Sequence, residues 1–306
     1  MKDIQKYQGV IPAFYACYDK NGEINPAAVR QLTEYFVQKG VKGVYVGGSS
    51  GECIYQGVAE RKLLLENVME AARGRLTVIA HVACNNTRES CQLAAHAESL
   101  GVDAIASIPP IYFRLPEYAI AQYWNDISAA APNTDFIIYN IPQLAGVTLT
   151  PGLFKTMRQN PRVIGVKNSS MPTYDIEMFL RAGGENCVVF NGPDEQFVAG
   201  RCCGAAGGIG GTYAAMPELF LTMDRLIREG TPEKARPIQH EVNAIIEDMC
   251  GCHGSMYAVI KAILKINENL ELGSVRRPMP ALIPEDMPKV EAAAARIREA
   301  IRTFAG

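Results

Sequence analysis

The sequence contains no apolar run of the roughly eighteen residues that a membrane-crossing helix needs. Its opening stretch, MKDIQKYQGVIPAFYACYD, lacks the long apolar core of a signal peptide. Neither charge is in excess: 30 Lys and Arg face 32 Asp and Glu, a formal net charge of −2. No nucleic acid and no membrane surface is therefore expected as a partner. Nine cysteines occur, but none has zinc-site spacing. Cys202–Cys203 and Cys250–Gly251–Cys252 are too close together, and His253 beside them completes no set. Without an export signal, reduced thiols in the cytoplasm are the expectation. His81, His96, His240 and His253 form no ligand pair at helical spacing, so no metal is expected, and His96 is read as lying on a helix face. No GxGxxG or phosphate-binding loop follows the first apolar segment.

What is present is an alternation. The 306 residues are 48% hydrophobic and 20% charged, enough ordinary globular chain to bury one large core. Apolar, β-rich segments at 10–17, 41–47, 76–82, 102–108, 135–141, 163–167, 187–191 and 205–211 alternate with helical patterns. One helix start is plain: Asn25 as cap, Pro26 at the first position, and a stop at Gly40. A second helix is read from Thr87 as cap to Gly101.

Strands alternating with helices imply a parallel sheet with right-handed crossovers. Eight units in about 230 residues fit an α/β fold of the closed (β/α)8 TIM barrel type. An open doubly wound sheet is the alternative, disfavoured by the missing nucleotide motif. Beyond 231 the pattern is helical without strands. The expected organisation is a barrel over 1–230 carrying the active site and a helical extension over 231–306 packed on it.

In such a barrel, chemistry sits at the C-terminal ends of the strands. The sixth strand, VIGVK, ends on Lys167. A lysine inside a strand of a parallel sheet is costly to bury. One facing a cleft at the strand's end is held toward its uncharged form and can act as a nucleophile. The plain alternative is a lysine that reaches water. Tyr139 ends the fifth strand and either finds one hydrogen-bond partner or moves protons beside the amine. GGSSGE, 47–52, is either a tight capped turn or a set of N–H and hydroxyl donors for an anion. Asp194 and Glu195 either cap the next helix or bind polyol hydroxyls. Taken together, a nucleophilic amine, a phenol, an anion-binding turn and polar groups for hydroxyls suit imine chemistry on an α-keto acid.

The strings GVYVGGSSGE, YNIPQLAGV, GVKNSS, FNGPDEQ and GGIGGTY carry a resemblance that runs from about residue 8 into the C-terminal helices. The chain resembles the pyruvate-dependent Schiff-base lyases and synthases related to dihydrodipicolinate synthase and, among them, the N-acetylneuraminate lyases. The resemblance implies that Lys167 forms the imine and Tyr139 donates or relays protons. Ser49, Ser50 and the backbone near Gly48 would hold the keto acid's carboxylate. Tyr112 matches a tyrosine that reaches the hydroxyl relay of a neighbouring subunit. Ser169, Gly192, Asp194, Glu195 and Gly211 would line the sugar end. A homotetramer, a dimer of dimers, is implied, and no diffusible cofactor, because the imine is the electron sink.

Two positions separate the branches. Leu144 stands where dihydrodipicolinate synthases carry an arginine for their second substrate, which favours the lyases. Gly211 stands where the family usually carries a serine, which leaves a 2-keto-3-deoxy sugar acid aldolase or dehydratase as an alternative. A non-catalytic sugar-acid sensor is the reading from another class, and the retained lysine, tyrosine and hydroxyl pair argue against it.

Overall fold

The computed structural model describes residues 3–306. Its eight strands are β1 (Gly9–Pro12), β2 (Gly43–Val46), β3 (Thr77–His81), β4 (Ala104–Ser107), β5 (Asp135–Asn140), β6 (Val163–Asn168), β7 (Val188–Asn191) and β8 (Gly207–Gly210). Every pairing is parallel, in the order β1-β8-β7-β6-β5-β4-β3-β2. The ring closes between β1 and β2, where Ala13 bridges Tyr45 and Phe14 N donates to Tyr45 O at 2.9 Å. The chain is thus the TIM barrel that the alternation implies.

Nine helices accompany the strands: α1 (Pro26–Lys39), α2 (Val58–Ala72), α3 (Thr87–Ser99), α4 (Glu117–Ala129), α5 (Pro142–Ala145), α6 (Pro151–Met157), α7 (Tyr174–Gly183), α8 (Phe197–Cys202) and α9 (Pro217–Arg228). Three more follow among the described residues: α10 (Pro232–Cys250), α11 (Met256–Glu268) and α12 (Met287–Phe304). Asn25 caps α1 by accepting from Ala27 N and Ala28 N, and Gly40 ends it at φ 72°. α3 is capped one residue earlier than its sequence suggests. The Asn86 side chain accepts from Glu89 N at 2.8 Å, and Thr87 is already helical.

The apolar run at 10–17 becomes a strand only as far as Pro12. Residues 13–17 stay buried, but beyond Ala13 and Phe14 they leave the barrel ladder. The pattern there reports burial rather than pairing. The short helix α5 after β5 is a single turn, too brief for a periodic signal.

Side chains pointing into the ring form a separate core. It includes Ile11, Tyr45, Ile79, Ile137, Tyr139, Ile164, Phe190 and Ile209. The outward faces pack against the helices and bury Trp124, Phe136, Phe154 and Phe179.

One buried ion pair ties the C-terminal helices to the barrel mouth. Lys261 of α11 donates to Glu52 Oε1 at 2.7 Å and to Ser274 O at 2.9 Å. Glu52 Oε2 accepts from Arg276 N at 2.7 Å. Both side chains are buried, so removing one partner strands a charge without solvent. Lys261→Met is expected to destabilise the fold by about 3–5 kcal/mol in urea unfolding. Adding Glu52→Leu should recover much of that loss, and a single variant as stable as wild type would refute the anchoring role.

Candidate active site

A cavity of about 320 Å³ opens at the C-terminal ends of the strands. Lys167 sits at its floor, 4% exposed. β6 carries it in register with Tyr139 on β5 and Phe190 on β7. Because side chains alternate along a strand, register neighbours on parallel strands share a face. That is why Lys167 and Tyr139 both enter the ring. Lys167 Nζ lies 4.0 Å from the centroid of the Tyr139 ring and 4.2 Å from that of Tyr45. Tyr45, on β2, meets Tyr139 edge to face at 5.7 Å.

Behind these rings stands His81 of β3, fully desolvated and held well below the usual histidine pKa by burial, with Arg61 adding to the effect. It is therefore neutral at physiological pH. Its Nδ1–H donates to Gly47 O at 2.8 Å, and its Nε2 accepts from Ile108 N at 3.4 Å. Arg61 Nη2 donates to His81 O at 2.6 Å and Nη1 to Ala83 O at 2.7 Å. This scaffold fixes the start of the 47–52 turn, which presents Ser49 and Ser50 to the cavity. Gly48 is part of that turn but does not itself line the cavity.

The strand ends after Lys167 are locked from outside. Asn140 Nδ2 donates to Asn168 Oδ1 at 2.8 Å, and Asn168 Nδ2 to Ser170 Oγ at 2.9 Å. Between them Ser169 turns its hydroxyl into the cavity. Gly192 faces it: a Cβ there would stand 2.0 Å from Ser169 Oγ, so only glycine allows this approach.

Asp194 and Glu195 both line the cavity, but Asp194 does not cap a helix. Its carboxylate accepts from Thr212 N at 2.7 Å and from Thr212 Oγ1 at 2.6 Å, bonding across to the end of β8. The capping alternative is corrected here for Asp194, because α8 starts after Gln196 with no side-chain cap bond and Asp194 Oδ2 instead reaches eighteen residues along the chain. Gly211 lines the same wall.

Tyr112 lies outside its own chain's cavity, 88% exposed and held at φ 86°. Leu144 stands at the cavity mouth, 63% exposed. The wall is not built from the barrel alone. Ile246 and Cys250 of α10, and Met256, Tyr257 and Ile260 of α11, complete it. His81 and Tyr257 are absent from the motifs, and Tyr45 lies within GVYVGGSSGE without having been singled out. Tyr45 was legible as an inward position of its strand; Tyr257 carries no local signal. Among the described residues, no group of three or more His, Cys, Asp or Glu is placed to hold a metal ion.

Burial pushes the Asp194 carboxyl up from 3.8 to about 7, against the pull of its Thr212 hydrogen bonds. The folded protein thus keeps a proton that the unfolded chain releases between those values. Folding takes up a proton in that window, so stability falls as pH rises through it and levels off above. Asp194→Asn has no such titration. The urea midpoint of wild type should decline relative to Asp194→Asn between about pH 5 and about pH 8. A constant difference would show that the carboxyl ionises normally.

The dihydrodipicolinate synthetase family model matches residues 6–297. An N-acetylneuraminate lyase from Mediterraneibacter gnavus is 68% identical over 304 residues, covering 99% of this chain and 96% of that protein. An Escherichia coli N-acetylneuraminate lyase is 32% identical, covering 95% and 97%. Among solved structures, wild-type Ruminococcus gnavus sialic acid aldolase superposes with a TM-score of 0.97 at 69% identity, covering 98% of this chain and 99% of that one. A catalytic lysine mutant of the same aldolase gives 0.98 at 68% identity, covering 99% and 100%. A barrel with a lysine at the end of its sixth strand, a match over almost the whole chain and relatives this close place the protein in the dihydrodipicolinate synthetase family.

Proposed function

We propose that this enzyme cleaves N-acetylneuraminate to N-acetylmannosamine and pyruvate through a Schiff base on Lys167. The observation that carries the reading is the pairing of Lys167 with Tyr139 in one desolvated cavity. The 68% identical lyase supports the choice of substrate. Leu144 adds to it, since an uncharged side chain at that point of the mouth offers no counter-charge to a second carboxylate.

The chemistry runs as follows. The Lys167 Nζ lone pair adds to C2 of the open-chain keto acid, and Tyr139 gives its phenolic proton to the carbinolamine hydroxyl, which leaves as water to give an iminium. The Tyr139 phenolate, aided by the substrate carboxylate, then takes the C4 hydroxyl proton, which it later returns to C3. The electrons of the C3–C4 bond then flow into the iminium, N-acetylmannosamine departs as the aldehyde, and an enamine remains. Protonation at C3 and addition of water release pyruvate and restore the amine. The iminium does the electron-accepting work. Ser49, Ser50 and the Gly48 backbone hold the carboxylate in this reading. Ser169, Gly192, Asp194, Glu195 and Gly211 face the sugar. The barrel over 1–230 supplies the reacting groups, and the extension over 231–306 closes the wall.

The same reading makes the enzyme a cytoplasmic homotetramer. Two observations support it. Tyr112 and Phe113, whose rings meet at 5.0 Å, are exposed together, as is Tyr118, and exposed aromatics of this kind mark a protein contact. All nine cysteines are free, as a reducing compartment favours. No helix among the described residues is long and apolar enough to cross a membrane. Tyr112 would reach the hydroxyl relay of the adjoining subunit.

Borohydride added with pyruvate should fix a covalent adduct on wild type and none on Lys167→Ala. Tyr139→Phe should still be trapped, yet lose about a hundred- to ten-thousand-fold in turnover of N-acetylneuraminate. An equal mass gain on Lys167→Ala would end the imine reading. Pyruvate release from keto-deoxygluconate exceeding that from N-acetylneuraminate would reassign the substrate. Sedimentation velocity should give four subunits, and a monomer with full activity would refute the role of Tyr112.

A further inference from the structure

The turn that carries Asp194 and Glu195 is held by side-chain amides, two of them from beyond the barrel. Three successive carbonyls of the turn each accept from one. Asn191 Nδ2, at the end of β7, donates to Pro193 O at 2.7 Å. Gln239 Nε2 donates to Asp194 O at 3.1 Å, and Asn243 Nδ2 to Glu195 O at 3.0 Å. Gln239 and Asn243 belong to α10, in the helical extension.

Gln239 is buried, and its whole amide is engaged. Its Oε1 accepts from Val198 N at 2.9 Å, supplying the cap that Gln196, before α8, does not. Its Nε2 also donates to Asn243 Oδ1 at 2.8 Å. One chain of hydrogen bonds thus runs from the start of α8 through Gln239 and Asn243 to Glu195. Amides do this without charge. An ammonium or guanidinium in their place would draw the Glu195 carboxylate to itself.

Gln239, Asn243, Ile246 and Cys250 recur at the spacing of one helix face. Ile246 and Cys250 line the cavity. The same face of α10 therefore grips the turn at one end and walls the cavity at the other. With their carbonyls turned to α10, Asp194 and Glu195 both present their side chains to the cavity. The Asp194 carboxylate is further tied to Thr212. The hydrogen bond that Asn243 makes holds Glu195 by its backbone alone, so the backbone sets where that carboxylate points.

We propose that Gln239 and Asn243 are positioning residues for the sugar end of the cavity, holding the Asp194–Glu195 turn so that the Glu195 carboxylate meets the hydroxyls of the aldehyde half of the substrate. The proposal rests on the reading that Glu195 faces the sugar. Loosening the turn weakens recognition of the aldehyde and leaves the pyruvate half, at Lys167, untouched.

The reverse reaction gives each half its own KM, because it joins pyruvate to N-acetylmannosamine through the same enamine. Asn243→Ala should raise the KM for N-acetylmannosamine about fivefold, the worth of one hydrogen bond, and leave that for pyruvate within about twofold. Glu195→Ala should raise the same KM, and in its background Asn243→Ala should cost nothing further. Gln239→Met should move that KM further than Asn243→Ala, and if it fails to fold, Asn243→Ala alone decides. An unchanged KM for N-acetylmannosamine, a matching rise for pyruvate, or an equal loss with and without Glu195 overturns the proposal. A wild type that joins pyruvate to glyceraldehyde but not to N-acetylmannosamine overturns the substrate reading instead, and the Asn243–Glu195 coupling is then read from the KM for glyceraldehyde. A wild type that accepts neither aldehyde overturns both.

Discussion

The geometry of this protein turns on holding one amine against two aromatic rings inside a closed ring of strands. Tyr45 and Tyr139, themselves edge to face, each sit about 4 Å from Lys167 Nζ and meet it on adjoining sides. Rings place the amine without the directional grip of a carboxylate, which would tie up its nitrogen. The barrel makes this possible because β2, β5 and β6 all point alternate residues at a common axis. Closure through Ala13 and Tyr45 keeps the floor dry, and a dry floor makes each nearby dipole count for more.

Around that floor, polar groups are spent on one another so that a few can face the substrate. The neutral His81 holds the 47–52 turn from behind. The Asn140–Asn168–Ser170 chain fixes the strand ends and lets Ser169 turn inward. Asp194 binds Thr212 and so joins the ends of β7 and β8. Glu195, next to it, lines the cavity. Asp194 has committed one of its two carboxylate oxygens, Oδ2, to Thr212.

The parts of this arrangement visible in the amino-acid order are those set by local pattern. The eight strand–helix units follow from periodicity, and the Asn25–Pro26 start and Gly40 stop from residue chemistry. Lys167 and Tyr139 stood out because each is a functional group ending an apolar strand. Where the reading fell short, the missing information was a partner distant in sequence. Nothing near Asp194 shows that its acceptors belong to Thr212. The run at 10–17 shows that it is buried, but not that only its first residues join the ladder. Thr87 and Asn86 are both competent caps, and only backbone geometry chooses between them. Tyr257 belongs to a segment read as a packing extension, with no motif around it. Tyr112 is exposed on its own chain and takes no part in lining that chain's cavity.

The buried Glu52–Lys261 pair joins positions 209 residues apart. The 47–52 turn is made early in the chain, while its fastening arrives only near the end. A ribosome must release most of the C-terminal helices before that turn can be locked in shape. The cavity wall is therefore completed late in synthesis, and a fragment ending before α11 carries the lysine and the tyrosine without the tether that fixes the turn beside them.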